Sequence, residues 1–314
     1  MAGIDATRGG PPQQPVLVYD RIASNKRQTW LMMFVFVAVL GAFATVIGYV
    51  AGLPIAAAPV VFIALGAYAT ISYYASAGVA LAVSNAHEVT REEEPDLHRV
   101  VENLCIGSGL PMPKVYVIED GAPNAFATGR DPKHASVTAT RGLLNKLDHA
   151  ELEGVIAHEM SHVGNYDIRV MTITVVLVGL IALLADLFMR WTWFGSGGRS
   201  NNRDRGGGAY AILLVVAIAL AILAPIAAQL IQLAISRQRE YLADASGALL
   251  CRNPDALADA LEKISADPEP LEEANKATAH LYFANPLKEH TSFLNNLFDT
   301  HPPVDERIRL LRAM

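Results

Sequence analysis

The stretch AHEMSHVGNYDIRVMTITVVLVGL, residues 157–180, decides the fold. Its first half carries His158, Glu159 and His162, three ionisable side chains at helical spacing. Its second half begins an apolar run without charged residues that extends from Val170 to Ala185. A polar helix is therefore followed, within eight residues of His162, by a segment suited to lipid.

The spacing of the two histidines indicates a metal site. Residues four apart lie on one face of a helix, so the imidazoles of His158 and His162 can bind one ion. The intervening Glu159 can take a proton from a metal-bound water, as in the H-E-x-x-H zinc hydrolases. Chance is the alternative, but with 9 histidines in the chain it gives this pattern about once per hundred such sequences. We therefore predict one Zn²⁺ per chain and Glu159 as the catalytic base.

The composition predicts a membrane protein. Hydrophobic residues make up 52% of the chain and the mean hydropathy is +0.27, too apolar for a soluble domain of this length. Residues 28–86 and 209–236 also lack charged side chains. About 20 apolar residues cross the hydrocarbon core as a helix, so runs of this length argue against buried helices of a soluble core. The predicted spans are Trp30–Val50, Ile55–Leu81, Val170–Arg190 and Ala209–Ser236.

The spans divide the chain into membrane and soluble parts. The two long polar pieces are together the size of one domain, so we predict one soluble domain that is split in sequence by a membrane hairpin. The predicted regions are a disordered tail (1–27), a transmembrane hairpin (28–83), a split zinc protease domain (84–169 and 237–314) and a second transmembrane hairpin (170–236) with a Gly-rich loop (194–208).

Local patterns predict a small β-sheet and further helices in the split domain. Lys114–Glu119, Asn124–Gly129 and Ala135–Thr140 have strand-like composition and are separated by turn residues. Asp148, with Glu151 three residues later, predicts a capped helix that carries the histidine motif. Two further helices are predicted at Pro254–Ser265 and Val304–Ala313. The expected fold is a mainly α membrane protein with four transmembrane helices and a zincin-like α+β catalytic domain.

A third metal ligand is expected after the fourth span. The segment SRQREYLADASG, residues 236–247, places Glu240 and Asp244 four apart on one helix face. One carboxylate can bind the metal while the other holds a histidine ring. Such a pair is common on solvated helices, but this one follows a predicted span directly. We expect both ligand helices to be cytoplasmic continuations of neighbouring membrane helices, which would place the site at the membrane surface.

The motifs together resemble the HtpX-type membrane-bound heat-shock zinc proteases, relatives of the CAAX prenyl proteases within the gluzincins. The matching segments are LDHAELEGVIAHEMSHVGNYD, SRQREYLADASG, THPPVDERIRLL and PNAFATGR, together with two N-terminal spans. The resemblance covers most of the chain after residue 27. It implies zinc-dependent endopeptidase activity on protein or peptide substrates, in quality control of membrane proteins and stress response.

The resemblance also implies roles for individual residues. It assigns His158, His162 and Glu240 as zinc ligands and Glu159 as the base. It implies that the edge strand containing Asn124, Ala125 and Phe126 pairs with extended substrate backbone. It matches His301 and Arg307 to positions that steady the tetrahedral intermediate. Without it, His301 could be a helix-entry residue and Arg307 a surface residue.

Other functions fit the sequence less well. An intramembrane protease of the site-2 type needs H-E-x-x-H inside an apolar helix, whereas Asp148, Glu151 and Glu153 precede the motif here. Ionisable residues within spans often mark an ion pathway, and the predicted spans hold only Asp186 and the terminal Arg190, which argues against a channel or transporter. Every expected catalytic role is filled, which argues against an inactive scaffold. A net charge of −6 without a basic block predicts no nucleic-acid partner, and two cysteines form no disulfide framework. The oligomeric state is not indicated.

The topology signals conflict. We expect a protein of the bacterial inner membrane. Basic residues before the first span predict that the tail and the split domain lie in the cytoplasm. The loop at residues 190–208 is also basic, which favours the cytoplasm too. Either the second hairpin crosses fully or it is re-entrant. We favour crossing, because Val170–Arg190 reaches about 31 Å as a helix and the first spans usually dominate orientation.

Overall fold

A computed structural model gives the structure of the protein. It describes residues 18–50, 54–195, 215–216, 218–219, 222, 237–271, 281–284 and 302–314. His301, most of the Gly-rich loop and most of the fourth predicted span lie outside the described residues.

Two long helices form the first part of the membrane region. Helix α1 (Val18–Val50) packs against α2 (Ala58–Val83), which follows a short 3₁₀ turn at Ile55–Ala57. Within them, Ala23–Val46 and Ile55–Val83 are long and apolar enough to cross a membrane. The first two predicted spans are thereby confirmed as helices of membrane length.

Helix α1 begins earlier than the sequence suggests. It starts at Val18, so the prediction of a disordered tail is wrong for residues 18–27. The reason is a tertiary contact: the buried amide of Asn25 donates hydrogen bonds to the backbone oxygen of Asn165, at 2.9 Å, and to Asp167 Oδ1, at 2.8 Å. These bonds join the start of α1 to the segment that follows the histidine motif.

The histidine helix does not continue straight into the third span. Helix α5 (His149–Gly164) and the start of α6 (Asp167–Ile181) meet at 84°. Tyr166 between them has a φ of 61°, a left-handed conformation that is uncommon outside glycine and lets the chain turn sharply. The histidine helix therefore precedes the third predicted span directly, as expected, but with a sharp bend between the two helices.

The number of spans stays a prediction. Helix α6 (Asp167–Gly195) contains the third predicted span, and α5 with the start of α6 is together long and apolar enough for one broken span. The described residues thus give two membrane-length helices, or up to three if this pair counts. The fourth span, Ala209–Ser236, lies almost entirely outside the described residues.

The soluble region contains a mixed four-stranded sheet. Its order is β1 (His87–Glu88), β2 (Lys114–Ile118), β4 (Ala135–Thr140) and β3 (Ala125–Gly129). Strand β2 runs parallel to β4, whereas β1 and β3 run antiparallel to their neighbours. The three predicted strands are confirmed, and β3 lies at the edge in register from Ala125 opposite Ala139 to Gly129 opposite Ala135.

The helices of the soluble region cover the predicted ones. Helix α5 has the predicted capping box, with both reciprocal bonds between Asp148 and Glu151. The other described helices are α3 (Pro95–Ser108), α4 (Arg141–Lys146), α7 (Arg237–Cys251), α8 (Pro254–Ala266) and α9 (Val304–Leu311). One hydrophobic cluster joins both sequence pieces, since it contains Val137 and Ile156 from the first and Leu257 and Leu311 from the second.

A close contact in this packing places α7 against α5. A Cβ atom at Gly247 would lie 2.9 Å from the backbone nitrogen of His158, so only glycine permits this approach. The contact brings the first turn of α7 beside the histidine motif. Any larger residue at Gly247 would push the two helices apart.

Candidate active site

The atoms of the predicted metal site converge in the structure. His158 and His162 lie on α5, Glu240 lies in the first turn of α7, and each is at most 3% exposed. The Nε2 atoms of the two histidines are 3.2 Å apart. Carboxylate oxygens of Glu240 lie 3.7 Å from Nε2 of His158 and 3.5 Å from Nε2 of His162. One atom from each residue lies within 4.8 Å of the others, a group that could hold a metal ion.

These spacings fit a tetrahedral ion. Nitrogen and oxygen ligands at zinc distances and tetrahedral angles are separated by about 3.3 to 3.5 Å. The two Nε2 atoms are 3.2 Å apart, and each lies 3.5 to 3.7 Å from a different oxygen of the Glu240 carboxylate, while one atom from each of the three residues lies within 4.8 Å of the others. Two imidazoles and a carboxylate are also a donor set of catalytic zinc sites, which keep a fourth position for water or substrate. The residues therefore fit a divalent metal ion.

The electrostatics of the two histidines differ. Burial opposes the charged form of His162, but hydrogen bonding to Asp167 and the charge of Glu240 outweigh burial and raise its pKa to about 9. Burial lowers the pKa of His158, and the neighbouring His162 acts in the same direction. Asp167 and Glu240 thus stabilise positive charge on the His162 ring.

Each histidine has a carboxylate behind it. Oδ1 of Asp244 lies 2.9 Å from Nδ1 of His158, although the N–H direction is poorly aligned for a hydrogen bond. Nδ1 of His162 donates to Oδ2 of Asp167 at 3.1 Å. A carboxylate at Nδ1 directs the Nε2 lone pair towards a metal. The sequence predicts this contact for Asp244 but not for Asp167.

The bend after α5 explains why Asp167 is not recognised in the sequence. It follows His162 by five residues, a spacing that would place it on a different helix face if α5 continued. The left-handed Tyr166 instead turns the chain back and starts α6 at Asp167. The one sequence signal for Asp167 is that the segment HVGNYD, which begins at His162, ends in an acidic residue.

Arg307 lies behind Asp244. Its guanidinium donates two hydrogen bonds to the Asp244 carboxylate, at 2.8 and 2.7 Å, and the residue is 1% exposed. Burial opposes ionisation of Asp244, but the Arg307 charge outweighs it and holds the Asp244 pKa at about 2. The alternative of a surface arginine is wrong, because α9 packs this side chain into the domain. His301 lies outside the described residues.

Glu159 connects the site to the sheet. It is 2% exposed, and its pKa is raised to about 7, above all by burial. The negative charge of Glu240 also raises this pKa, whereas a hydrogen bond from the Ala127 backbone lowers it. The carboxylate therefore lies beside the edge strand β3.

Another segment of the protein, Leu281–Ala284, is bonded to the first residues of the edge strand β3. The backbone oxygen of Ala125 accepts a hydrogen bond from the backbone nitrogen of Phe283 at 2.8 Å. The side-chain amide of Asn124 bonds both backbone groups of Ala284, at 2.9 and 3.2 Å. The ring of Phe126 is buried against Tyr282, with centroids 5.0 Å apart. The predicted substrate-binding residues Asn124, Ala125 and Phe126 thus contact the segment Leu281–Ala284.

Phe283 is a site residue that the sequence does not reveal. Its ring meets His158 edge-on, with centroids 4.9 Å apart, and the Arg307 guanidinium lies 5.0 Å from its centre. The contact keeps solvent from one side of the His158 ring. A lone aromatic residue in LYFANP has no spacing signal, so only the packing identifies it.

Taken together, a buried group of two histidines and a glutamate that could hold a metal ion, with membrane-length helices beside it in the chain, is typical of a membrane metallopeptidase. Comparison with known proteins gives the family. The model of peptidase family M48 matches residues 91–314, and the chain belongs to this family.

Relatives match almost the whole chain. A Protease HtpX homolog of Tropheryma whipplei (strain Twist) is 48% identical over 300 residues, covering 95% of this chain and 99% of that protein. A Protease HtpX homolog of Listeria monocytogenes serotype 4a (strain HCC23) is 47% identical over 310 residues, covering 95% and 100%. The crystal structure of S. mikatae Ste24p is similar with a TM-score of 0.47 and 16% identity, covering 93% of this chain and 66% of that one.

Proposed function

We propose that the protein is a zinc-dependent endopeptidase with His158, His162 and Glu240 as its metal ligands. The observation that carries this proposal is the buried convergence of their ligating atoms within 4.8 Å. Zinc is the proposed ion, because two imidazoles and one carboxylate leave an open position in catalytic zinc sites. The metallopeptidase family of the chain supports the same assignment.

Glu159 is the proposed general base. Bound zinc would polarise the substrate carbonyl and lower the pKa of its water to about 7. The Glu159 carboxylate accepts a proton from the attacking water, whose oxygen bonds to the carbonyl carbon. It then transfers this proton to the amide nitrogen as the C–N bond breaks. The position of Glu159 beside the Ala127 backbone supports this role, since a peptide on β3 would pass close to the carboxylate.

Three further residues are proposed to support the ligands. Asp167 and Asp244 orient His162 and His158, and Arg307 holds Asp244 in place through two hydrogen bonds. His301, from the family resemblance alone, remains the proposed residue that steadies the tetrahedral intermediate.

The edge of β3 is the proposed binding site for extended substrate. Asn124, Ala125 and Phe126 shape one end of it and contact Leu281–Ala284. We place backbone pairing with substrate at the other end, near Ala127, because Glu159 lies there. A cleft that is closed at one end by Phe283 would limit how far the substrate extends past the site.

Membrane proteins of the inner membrane are the proposed substrates, and their quality control under stress is the proposed role. The two membrane-length helices support this proposal, because segments leaving the lipid could reach a site held beside the bilayer. The basic residues before the first span support a cytoplasmic location of the catalytic domain.

Removing the metal should abolish activity. Purified protein in detergent should hydrolyse casein, lose this activity on treatment with 1,10-phenanthroline, and regain it when zinc is added to about one ion per chain. The measurements are metal content by elemental analysis and release of labelled casein fragments. Full activity in a metal-free preparation would exclude a metallopeptidase, and recovery with manganese but not zinc would exclude zinc.

Cysteine labelling should establish the topology. After replacement of Cys105 and Cys251, a cysteine at Ser200 in intact cells should react with a membrane-impermeant maleimide, whereas one at Ser292 should not. This result follows if the second hairpin crosses and the domain is cytoplasmic. Labelling at Ser292 alone would reverse the topology. Labelling at neither site until the cells are opened would favour a re-entrant hairpin.

A further inference from the structure

A cavity of about 720 Å³ lies where the membrane helices meet the soluble domain, apart from the metal cluster. Helices α1, α2 and α6 contribute one wall, and the turn after β3 contributes another. Its lining combines basic and aromatic side chains, among them Lys26, Arg130, Lys133, Arg169, Trp30 and Tyr74.

The charge of this cavity is strongly positive. Of the described residues that line it, Lys26, Arg130, Lys133 and Arg169 are basic and Asp131 is acidic. Asp131 is already engaged, because its carboxylate lies 2.7 Å from Nδ1 of His134 and 3.7 Å from Nε of Arg130. The protein as a whole has a net charge of −6, so this concentration of cations is a local feature.

Aromatic rings hold the cations in place. Lys26 Nζ lies 4.4 Å from the centre of the Tyr166 ring, and the Arg130 guanidinium lies 5.2 Å from that of Tyr74. The Arg169 guanidinium lies 5.1 Å from the centre of the Tyr73 ring. Such contacts orient a cation without neutralising it, so an anion can still bind.

Arg169 has an unused hydrogen-bond donor. Its Nε atom is buried and has no hydrogen-bond partner among the described residues. A buried donor without a partner is unfavourable, and this donor belongs to a side chain that lines the cavity. A phosphate or carboxylate oxygen in the cavity would supply the missing acceptor.

The cavity lies at the level where lipid begins. Lys26 and Arg27 directly precede the uncharged residues 28–86, and Arg169 directly precedes the uncharged residues 170–185. Trp30 and Tyr74 are 55% and 62% exposed, as aromatic residues at a membrane interface are. Basic pockets between membrane helices at this depth suit the headgroups of anionic lipids.

We propose that this cavity binds the phosphate of an anionic phospholipid headgroup. The basic side chains bind the phosphate oxygens, and the exposed rings of Trp30 and Tyr74 contact the upper part of the acyl chains. An acidic peptide fits less well, because Lys26 and Arg169 lie on helices that enter the bilayer. A zwitterionic lipid would bring its ammonium group close to the cations.

Lipid binding can be measured on the full-length protein in detergent. Native mass spectrometry with phosphatidylglycerol should show one retained lipid, bound at least about tenfold more tightly than phosphatidylcholine. The double variant Lys26→Gln/Arg169→Gln should lose about 25-fold in affinity for phosphatidylglycerol, since each cation near an anionic surface contributes about fivefold. The milder variant Lys133→Gln should lose about fivefold and guards against misfolding of the double variant.

Arg27→Gln is the matched control, because Arg27 follows Lys26 at the same depth but does not line the cavity. It should bind phosphatidylglycerol like the unmodified protein. Equal retention of phosphatidylcholine, or unchanged binding in both the double variant and Lys133→Gln, would overturn the proposal. Displacement of the lipid by equimolar inorganic phosphate would identify a free-phosphate site instead, and displacement by a polyglutamate peptide would identify a peptide site.

Discussion

Replacing Glu159 with glutamine is expected to reduce casein hydrolysis by about 10²- to 10⁴-fold, the usual contribution of a general base. Glutamine has nearly the same shape but cannot accept the proton from water. The metal cluster of His158, His162 and Glu240 does not include Glu159, so the variant should keep one zinc ion per chain. Hydrolysis rate and zinc content are measured on the same preparation.

Glu153→Gln is the matched control for this experiment. Glu153 lies on the same helix, is only partly buried and is outside the metal cluster. Its substitution should leave both activity and zinc unchanged. Near-normal hydrolysis by Glu159→Gln would exclude Glu159 as the base, and loss of its zinc would make Glu159 a ligand.

Much of the soluble domain is predictable from neighbouring residues. The strands Lys114–Ile118 and Ala135–Thr140 follow from local composition and turns, and the capping box of Asp148 and Glu151 follows from a spacing of three. The two histidine ligands are predictable for the same reason, because helix geometry alone puts His158 and His162 on one face. Glu240 needs a second argument, its position at the end of a predicted span.

The remaining site residues depend on tertiary structure. Asp167 reaches His162 because Tyr166 adopts a left-handed conformation that no sequence pattern specifies. Phe283 reaches His158 because its segment bonds to the edge of β3. Asn25 is a further residue whose structure depends on tertiary contacts. Local composition predicts a disordered tail there, but hydrogen bonds to Asn165 and Asp167 fix Asn25 within helix α1.

Zinc binding should distinguish the third ligand from the residues behind the histidines. Glu240→Ala removes a carboxylate that lies 3.5 Å from Nε2 of His162, so the ion loses one of three protein ligands. Loss of a residue that hydrogen-bonds to a metal ligand typically weakens metal binding about 10- to 100-fold. We therefore expect the Kd for zinc to rise by more than about 100-fold in Glu240→Ala and by about 10- to 100-fold in Asp167→Asn.

Asp167 is a better comparison than Asp244, because its buried ion pair with Arg239 is longer, at 3.9 Å, than the 2.7 Å pair of Asp244 with Arg307. Asp244 and Arg307 form a buried ion pair, and removing one partner of such a pair typically costs about 3 to 5 kcal/mol. Asp244→Ala would therefore release zinc through unfolding as well as through loss of ligand orientation. Asp167→Asn keeps the size of the side chain, and the melting temperature of each variant shows whether the fold is intact.

The zinc Kd of each variant can be measured by competition with a chromophoric chelator in detergent, at protein concentrations where the unmodified chain is saturated. A folded Glu240→Ala protein that binds zinc as tightly as the unmodified chain would exclude Glu240 as a ligand. The third ligand would then have to be another carboxylate that can reach Nε2 of His158 and His162. Asp244 is one alternative, but its contacts with Nδ1 of His158 and with Arg307 already occupy it. Glu272 and Glu273 are the others, and both lie outside the described residues.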